Sequence, residues 1–597
     1  MTVMAGWSMS RRRGSWRTAS STAASLPLFR PVLIRSALIW PALICLVLLA
    51  GCTDPPSGSA AAVTSGQVGP PRLVRQVDGI DWSLPDGLDP APNSGFYSED
   101  AAPAEKILVR SVDLTWRQLA PRAGVLDTAH ETGSAQGLSF DPLDTQLLDD
   151  GPFWMRIFAS GRDWAPTWVA ADCRVRDHGP DDDGMRHLPL WNECVWSHLL
   201  DTYRDLFVDK GLRADPRLRF VYVPGGYTWA EYDFETMNAA AEVGDLDSRR
   251  YLAWHAHAWK DLVEIFGPYA TKLVFTGEDH PFTDLAEGQR GQLARQVTAA
   301  GMGIRNGIPE LSNFHLSQAP AYGSRIGVDG HLTIDESLAI HDGRHVIGME
   351  NECFTSCGFR TDDLAYAVTQ TNLKSLQLRA NWIYVVPGDS GLEALPEHWH
   401  WVRLSLGRTA STTPDVWAQL REASDEYWRD NDEAPFTTPA SWPGKPWVRN
   451  LERWLVQRDV PGGRAHRASV DVRRGVLAPE NGTAHEGLST RVAAGDTAIH
   501  LDVDDRFAAA VAARPDSPVQ VQITYWDAGG AFRVVTGAGS SATVTPGGTR
   551  RWRTAIFRVR ADALRDSLAG GTDLAVQAAG RQDVTVWFVR VVRTTAG

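Results

Sequence analysis

The stretch HVIGMENECF, residues 345–354, is an apolar run that stops at Glu350, with a second carboxylate, Glu352, two positions on. A strand buried on both faces reads as a near-continuous apolar run, and in a parallel barrel the chemistry sits where such runs end. Similar short runs occur at 73–80 (LVRQVDGI), 107–116 (ILVRSVDLTW), 152–160 (PFWMRIFAS), 219–227 (RFVYVPGGY), 272–280 (KLVFTGEDH), 301–309 (GMGIRNGIP) and 381–389 (NWIYVVPGD). Segments with apolar residues at three- and four-residue spacing lie between them, among them VWSHLLDTYRDLFVDKG, DSRRYLAWHAHAWKDLVEIFG and DDLAYAVTQTNLKSLQLRA. Strand alternating with helix specifies a parallel sheet, and eight such strands predict an α/β fold, a closed (β/α)8 TIM barrel. SGFY, 94–97, is a rival for the first strand.

Beyond residue 445 the helical spacing stops. AIHLDVDD, VQVQITYWD, AFRVVTG, WRTAIFRVR, DLAVQAAG and VTVWFVRVV are short alternating strands separated by Gly, Asp and Pro, the pattern of an all-β sandwich or jelly roll. The expected organisation is a signal over 1–52, a tether over 53–72, a barrel over 73–445 and a β-sandwich over 446–597.

The 597 residues carry a net charge of -13 and no basic patch, which excludes nucleic acid as a partner. There are 24 Trp residues; most fill cores, and the rest suit ligands with apolar faces, sugars among them. Arg11, Arg12, Arg13, Arg30 and Arg35 flank ALIWPALICLVLLA, 37–50, an apolar run too short for a comfortable membrane span. It ends in LLAGC, 48–52, which resembles the lipobox of bacterial lipoproteins. The resemblance implies export, lipidation of Cys52 and a membrane anchor. In an oxidising compartment Cys173, Cys194, Cys353 and Cys357 are expected to pair; of three connectivities the local pairs Cys173–Cys194 and Cys353–Cys357 come first. Their spacing is not that of a zinc ribbon, and no metal or other cofactor is expected.

At the expected C-terminal ends of the barrel strands stand Arg156, Tyr227, Trp229, Glu231, Glu278, Asp279, His280, Asn306, Glu350, Glu352 and Tyr384, with Trp164 and Trp168 just after the third strand. His255 and His257, two apart on a helix, read as ordinary helix residues. HWHW, 398–401, reads as a buried aromatic helix after the eighth strand. No Gly-rich phosphate loop, serine nucleophile elbow or HExxH motif is present.

Glu231 follows the fourth strand and Glu350 ends the seventh. This placement resembles the retaining glycoside hydrolases of the large (β/α)8 clan that includes β-galactosidases and cellulases. LTWRQLAPRAGVLD, 114–127, is similar to an early segment of the β-galactosidase-like members. The resemblance implies Glu231 as acid/base and Glu350 as nucleophile, acting on an oligo- or polysaccharide. Glu352, Arg156, Trp229, Tyr227, Glu278, His280, Asn306, Trp164 and Tyr384 are then expected around the sugar, with Arg156 keeping the nucleophile ionised. One departure is Ala230, where the clan places Asn before its acid/base. It keeps open a second function, that of a non-catalytic carbohydrate-binding lipoprotein on a degenerate barrel. ITYWDAGGAFRVV and RRWRTAIFRV resemble galactose-binding-like jelly-roll modules attached to carbohydrate-active enzymes.

Overall fold

The computed structural model describes residues 69–99, 107–130, 140–181, 184–224, 234–276, 292–305, 323–327, 329–351, 364–386, 388, 390–422, 449–468, 485–513 and 518–594. Parallel strands close a barrel in chain order: Gly95–Ser98, Leu108–Thr115, Phe153–Phe158, Leu218–Tyr222, Leu273–Phe275, Gly303–Arg305, Ile347–Asn351 and Trp382–Val385. They are called first to eighth here.

Alternation sorts each strand into two faces. Met155, Ile157, Val221 and Phe275 turn outward to the helices. Tyr97, Trp154, Phe220, Tyr222, Val274, Trp382 and Tyr384 form an inward cluster, so an aromatic core fills the barrel axis. Gly95 makes room for it: a Cβ there would stand 2.8 Å from the Trp382 ring.

The helices follow from capping and periodicity. In Ser248–Phe266, Asp247 caps the start by accepting from Arg250 N–H, and Gly267, at φ 53°, ends it. Tyr251, His255, Ala258, Trp259, Leu262 and Phe266 bury one stripe. His255 is a core residue of this stripe, its ring 4.5 Å from that of Trp259, whereas His257 points outward near Asp261.

The first strand differs from the leading expectation. Arg72–Asp78 does not enter the barrel; it pairs antiparallel with Trp552–Val559 at the edge of a nine-stranded sheet. Gly95–Ser98, the SGFY rival, closes the barrel between the eighth and second strands. The physical reason is burial on both faces: GFYS is buried at all four positions, while RLVRQVD carries Arg75, Gln76 and Asp78, which suit an edge strand.

Asp415–Glu422 also joins the nine-stranded sheet, beside Thr585–Arg593. The β-rich domain therefore draws strands from both sides of the barrel in sequence. Its second sheet has five strands, Leu455–Arg458, Ala498–Val503, Leu574–Ala578, Phe532–Thr536 and Gly539–Ser540. Val521, Ile523 and Phe557 of one sheet share a core with Ile499, Val534 and Val576 of the other.

The barrel and the β-rich domain meet through a buried aromatic and polar seam. Phe96, Trp399 and Trp401 share a cluster with Trp417, Leu451 and Phe588. Asp415 accepts from Trp401 Nε1 at 2.9 Å and from Arg590 Nε at 2.8 Å. The HWHW helix is thus buried at His398, Trp399 and Trp401 and serves this seam.

Candidate active site

Each inward side chain at the C-terminal end of the barrel is set by its strand's register. Glu350 on the seventh strand is level with Tyr384 on the eighth, and Tyr384 with Tyr97 on the first. Asp113 on the second is level with Arg156 on the third, and Arg156 with Tyr222 on the fourth. Tyrosines and charged groups therefore share one level at the mouth, and Trp154, Phe220 and Trp382, two residues back along their strands, form an aromatic floor beneath them.

Glu350 is 7% exposed. Its Oε1 contacts Nη2 of Arg305, which ends the sixth strand. The Arg305 guanidinium stands 5.9 Å from the Tyr222 ring centre and 5.8 Å from that of Tyr384. Tyr222 donates its hydroxyl hydrogen to Tyr97 Oη at 2.9 Å. Burial, then the Tyr97 hydroxyl, push the Tyr222 hydroxyl well above its ordinary pKa, so it stays protonated.

A second charged group occupies the other side of the mouth. Arg156 donates from Nη1 to Glu99 at 2.6 Å and from Nε and Nη2 to the two Asp113 oxygens, each at 3.2 Å. Burial alone would lower the Arg156 pKa, but the charges of Asp113 and Glu99 outweigh it and raise it. Burial holds the Asp113 carboxyl above its usual range, against the pull of Arg156. Arg156 also lies 4.3 Å over the Phe158 ring, which packs at 4.8 Å on the buried Trp164.

The expected partnership of Arg156 with Glu350 is therefore corrected. Arg156 lies on the third strand, between the second and the fourth, and is gripped by Asp113 and Glu99. The cation on Glu350 comes from the adjacent sixth strand. Asn351, next to Glu350, points the opposite way: it is fully buried and donates to Asn372 Oδ1 at 2.6 Å and to the Val368 carbonyl at 3.3 Å. Trp164 backs the wall behind Phe158. Trp168 turns outward, its Nε1 donating to the Ala120 carbonyl.

Tyr227, Trp229, Glu231, Glu278, His280, Asn306 and Glu352 lie outside the described residues, as do Cys52, Cys353 and Cys357. The Cys173–Cys194 disulfide is present. Among the described residues, Arg305, Glu99, Asp113, Tyr97 and Tyr222 are mouth residues that sequence reasoning misses. Inward parity marks Asp113 in RSVDLTW and Tyr222 in RFVY; three residues of sixth strand are too few to show parity at Arg305.

Among the described residues, two groups of potential metal ligands lie away from this mouth: Asp172, Cys173, Cys194 and His198, and Asp502, Asp566 and Asp573. In the first, both sulfurs are in the disulfide. In the second, Asp502 pairs with Arg458, and the Asp573 oxygens accept from the backbone of Val503 and Asp566. A cleft of about 660 Å³ lined by Trp168, His198, Asp205 and Glu264 lies on the outer helices, not on the barrel axis.

No family model matches the chain, and no curated protein matches it. Among solved structures, it is similar to the catalytic domain of a β-amylase from Paenibacillus polymyxa, at 12% identity and TM-score 0.28, over 50% of this chain and 93% of that one. It is similar to a xyloglucanase of glycoside hydrolase family 44 from the same species, at 9% identity and TM-score 0.28, over 84% and 97%. A cycloisomaltooligosaccharide glucanotransferase from Paenibacillus sp. matches at 8% identity and TM-score 0.25, over 83% of this chain and 57% of that one. At such scores the barrel rests on its own strand pairing.

Proposed function

We propose that the chain is a glycoside hydrolase that cleaves O-glycosidic bonds of an oligo- or polysaccharide by a retaining mechanism. The observation that carries this reading is Glu350: an inward, nearly buried carboxylate at the end of the seventh strand of a closed barrel, above an aromatic floor. Cleavage needs a proton for the leaving oxygen and a nucleophile for the anomeric carbon. In the proposed cycle a Glu350 oxygen bonds the anomeric carbon as the glycosidic bond breaks. Glu231 gives its proton to the departing oxygen, then takes one from the water that displaces Glu350. This requires the two carboxyl groups about 5–5.5 Å apart. Tyr384 and Arg156 are proposed to bound the sugar site from the described side, with Trp164 supporting that wall from behind Phe158, and Tyr227, Trp229, Glu278, His280, Asn306 and Glu352 from the rest. We further propose that Cys52 is lipidated and holds the enzyme at the membrane; Cys52→Ala should then leave unprocessed precursor or abolish membrane association.

The test is a panel of aryl glycosides and polysaccharides with the wild type and Glu350→Gln. Turnover by the wild type that falls by several orders of magnitude in Glu350→Gln, with sugar binding kept, supports the reading. Ala230, in the place of the clan's Asn, favours the alternative of a non-catalytic carbohydrate-binding lipoprotein. Tight binding without turnover across the panel would select it.

A further inference from the structure

The sixth and seventh strands meet at an unusual pair. Arg305 is level with Gly348, and a Cβ on residue 348 would stand 3.1 Å from both Cβ and Cγ of Arg305. The missing side chain lets the arginine stem run along the neighbouring strand. Its guanidinium then reaches Glu350, two residues further on and on the same inward face. The rings of Tyr222 and Tyr384 stand on either side of it in the sequence of strands, so its position is set by three elements besides its own. The guanidinium contacts the carboxylate through Nη2 and Oε1, and its planar fork suits holding a carboxylate in one orientation.

We propose that Arg305 is a positioning residue for Glu350, fixing the orientation of the carboxylate and keeping it ionised, and that Gly348 is the space this contact requires. The role in catalysis rests on Glu350 being the nucleophile; the role in orientation does not. Among the described residues, the groups that face Glu350 come from four other strands. Arg305 comes from the sixth strand and Tyr384 from the eighth. Tyr222 and Tyr97, from the fourth and first, share one hydrogen bond. The Arg156 cation of the third strand is neutralised by Asp113 and Glu99. Among the described residues, Arg305 is thus the cation in contact with Glu350.

The test compares Arg305→Met, Arg305→Lys and Gly348→Ala with the wild type by crystallography and by the pH profile of kcat/KM on whichever aryl glycoside the wild type turns over. Thermal melts first establish that each variant folds. In Arg305→Met the Glu350 side chain is expected to leave its position, and the acid limb to move up by one unit or more while KM changes little. Arg305→Lys should restore most of both. Gly348→Ala should shift the limb in the same direction, although residue 348 offers no group to a substrate. An unshifted acid limb with wild-type kcat in Arg305→Met overturns the inference. If the wild type turns over nothing, the glycosidase reading fails, and the crystal structures alone decide: Glu350 unmoved in Arg305→Met overturns the inference.

Discussion

Tyr97 on the first barrel strand and Tyr222 on the fourth are joined by a 2.9 Å hydrogen bond inside the barrel, with Tyr222 the donor. The bond ties together strands that are not neighbours in the sheet. Both rings are buried, so each hydroxyl matters more than it would at the surface. Tyr222→Phe removes the donor, and the expected loss is about 1 kcal/mol of stability. Tyr97→Phe strands a buried donor and should cost more, about 1–3 kcal/mol. Chemical denaturation of the two variants checks the order. Equal losses would show that the Tyr222 hydroxyl has another acceptor.

Glu336 is the second relationship with a measurable consequence, because it staples the barrel to the β-rich domain. It accepts from Arg379 Nε at 2.5 Å, from Trp454 Nε1 at 2.6 Å and from Arg506 Nη1 at 2.7 Å. Burial pushes its pKa up, but Arg379, by charge and hydrogen bond, with Trp454 and Arg506, outweighs burial and holds it at about 2. A carboxylate with a depressed folded pKa stabilises the fold above its unfolded pKa, and this stability is lost as pH falls through the folded value. The window therefore runs from the ordinary glutamate range down to about 2. Glu336→Gln should cost about 1–3 kcal/mol at neutral pH, between exposed and buried pairs. Its melting temperature should also fall less steeply with acid than the wild type's. Parallel acid slopes in melts from pH 5 downward would rule out Glu336 as a titrating staple.

The disulfide carries a third expectation. Cys173 ends the helix Thr167–Cys173 and Cys194 lies in the first turn of Glu193–Tyr203, so the bond closes the loop between them. That loop is fastened to the end of the third strand: Ser160 Oγ and His187 Nδ1 are 2.9 Å apart, and His187 Nε2 is 2.8 Å from Asp181. Closing a loop of this length restricts the unfolded chain, typically by about 2–4 kcal/mol. The double variant Cys173→Ala, Cys194→Ala should lose stability of that order while keeping the barrel's circular dichroism. Peptide mapping without reductant should recover the two cysteines as one linked pair; finding both thiols free would remove the claim.

What is legible in the sequence depends on how many residues carry each signal. Glu350 is legible because a continuous apolar run stops at it, with Val346 and Gly348 before it on the same face. The barrel is legible for the same reason, repeated along the chain. The first strand is harder: GFYS has four residues, and LVRQVD looks the better strand until its pairing with Trp552–Val559 is seen. That error hides Glu99, which follows GFYS directly and reaches Arg156. Arg305 is hidden because GIR is too short for parity, so Asn306 beside it attracts the assignment. Which cation meets which carboxylate depends on strand adjacency around the closed barrel, and adjacency of the sixth and seventh strands is a tertiary fact. The β-rich domain is legible as strands, but its recruitment of Arg72–Asp78 from the other end of the chain is not.

The last prediction separates the two proposed carboxylates by chemistry. A nucleophile must form a bond to the anomeric carbon whatever the leaving group is. An acid/base residue is needed in the first step only when the leaving oxygen departs poorly without a proton. Glu231→Ala should therefore depress turnover of natural glycosides and alkyl glycosides far more than that of activated aryl glycosides. On the activated substrates the second step becomes limiting, because no base remains to deprotonate water. Added azide, a small anion that needs no base, should then attack the glycosyl–Glu350 intermediate and raise turnover, with a glycosyl azide of retained configuration as product. Glu350→Gln should show neither leaving-group dependence nor rescue to that product, because no such intermediate forms. Glu352→Gln is the control and should cost much less than Glu350→Gln. If Glu352→Gln is the inactive variant, the nucleophile is two residues further on. If Glu231→Ala loses the same factor on every substrate and azide does nothing, the acid/base lies elsewhere in the mouth, with Glu278 the next to replace.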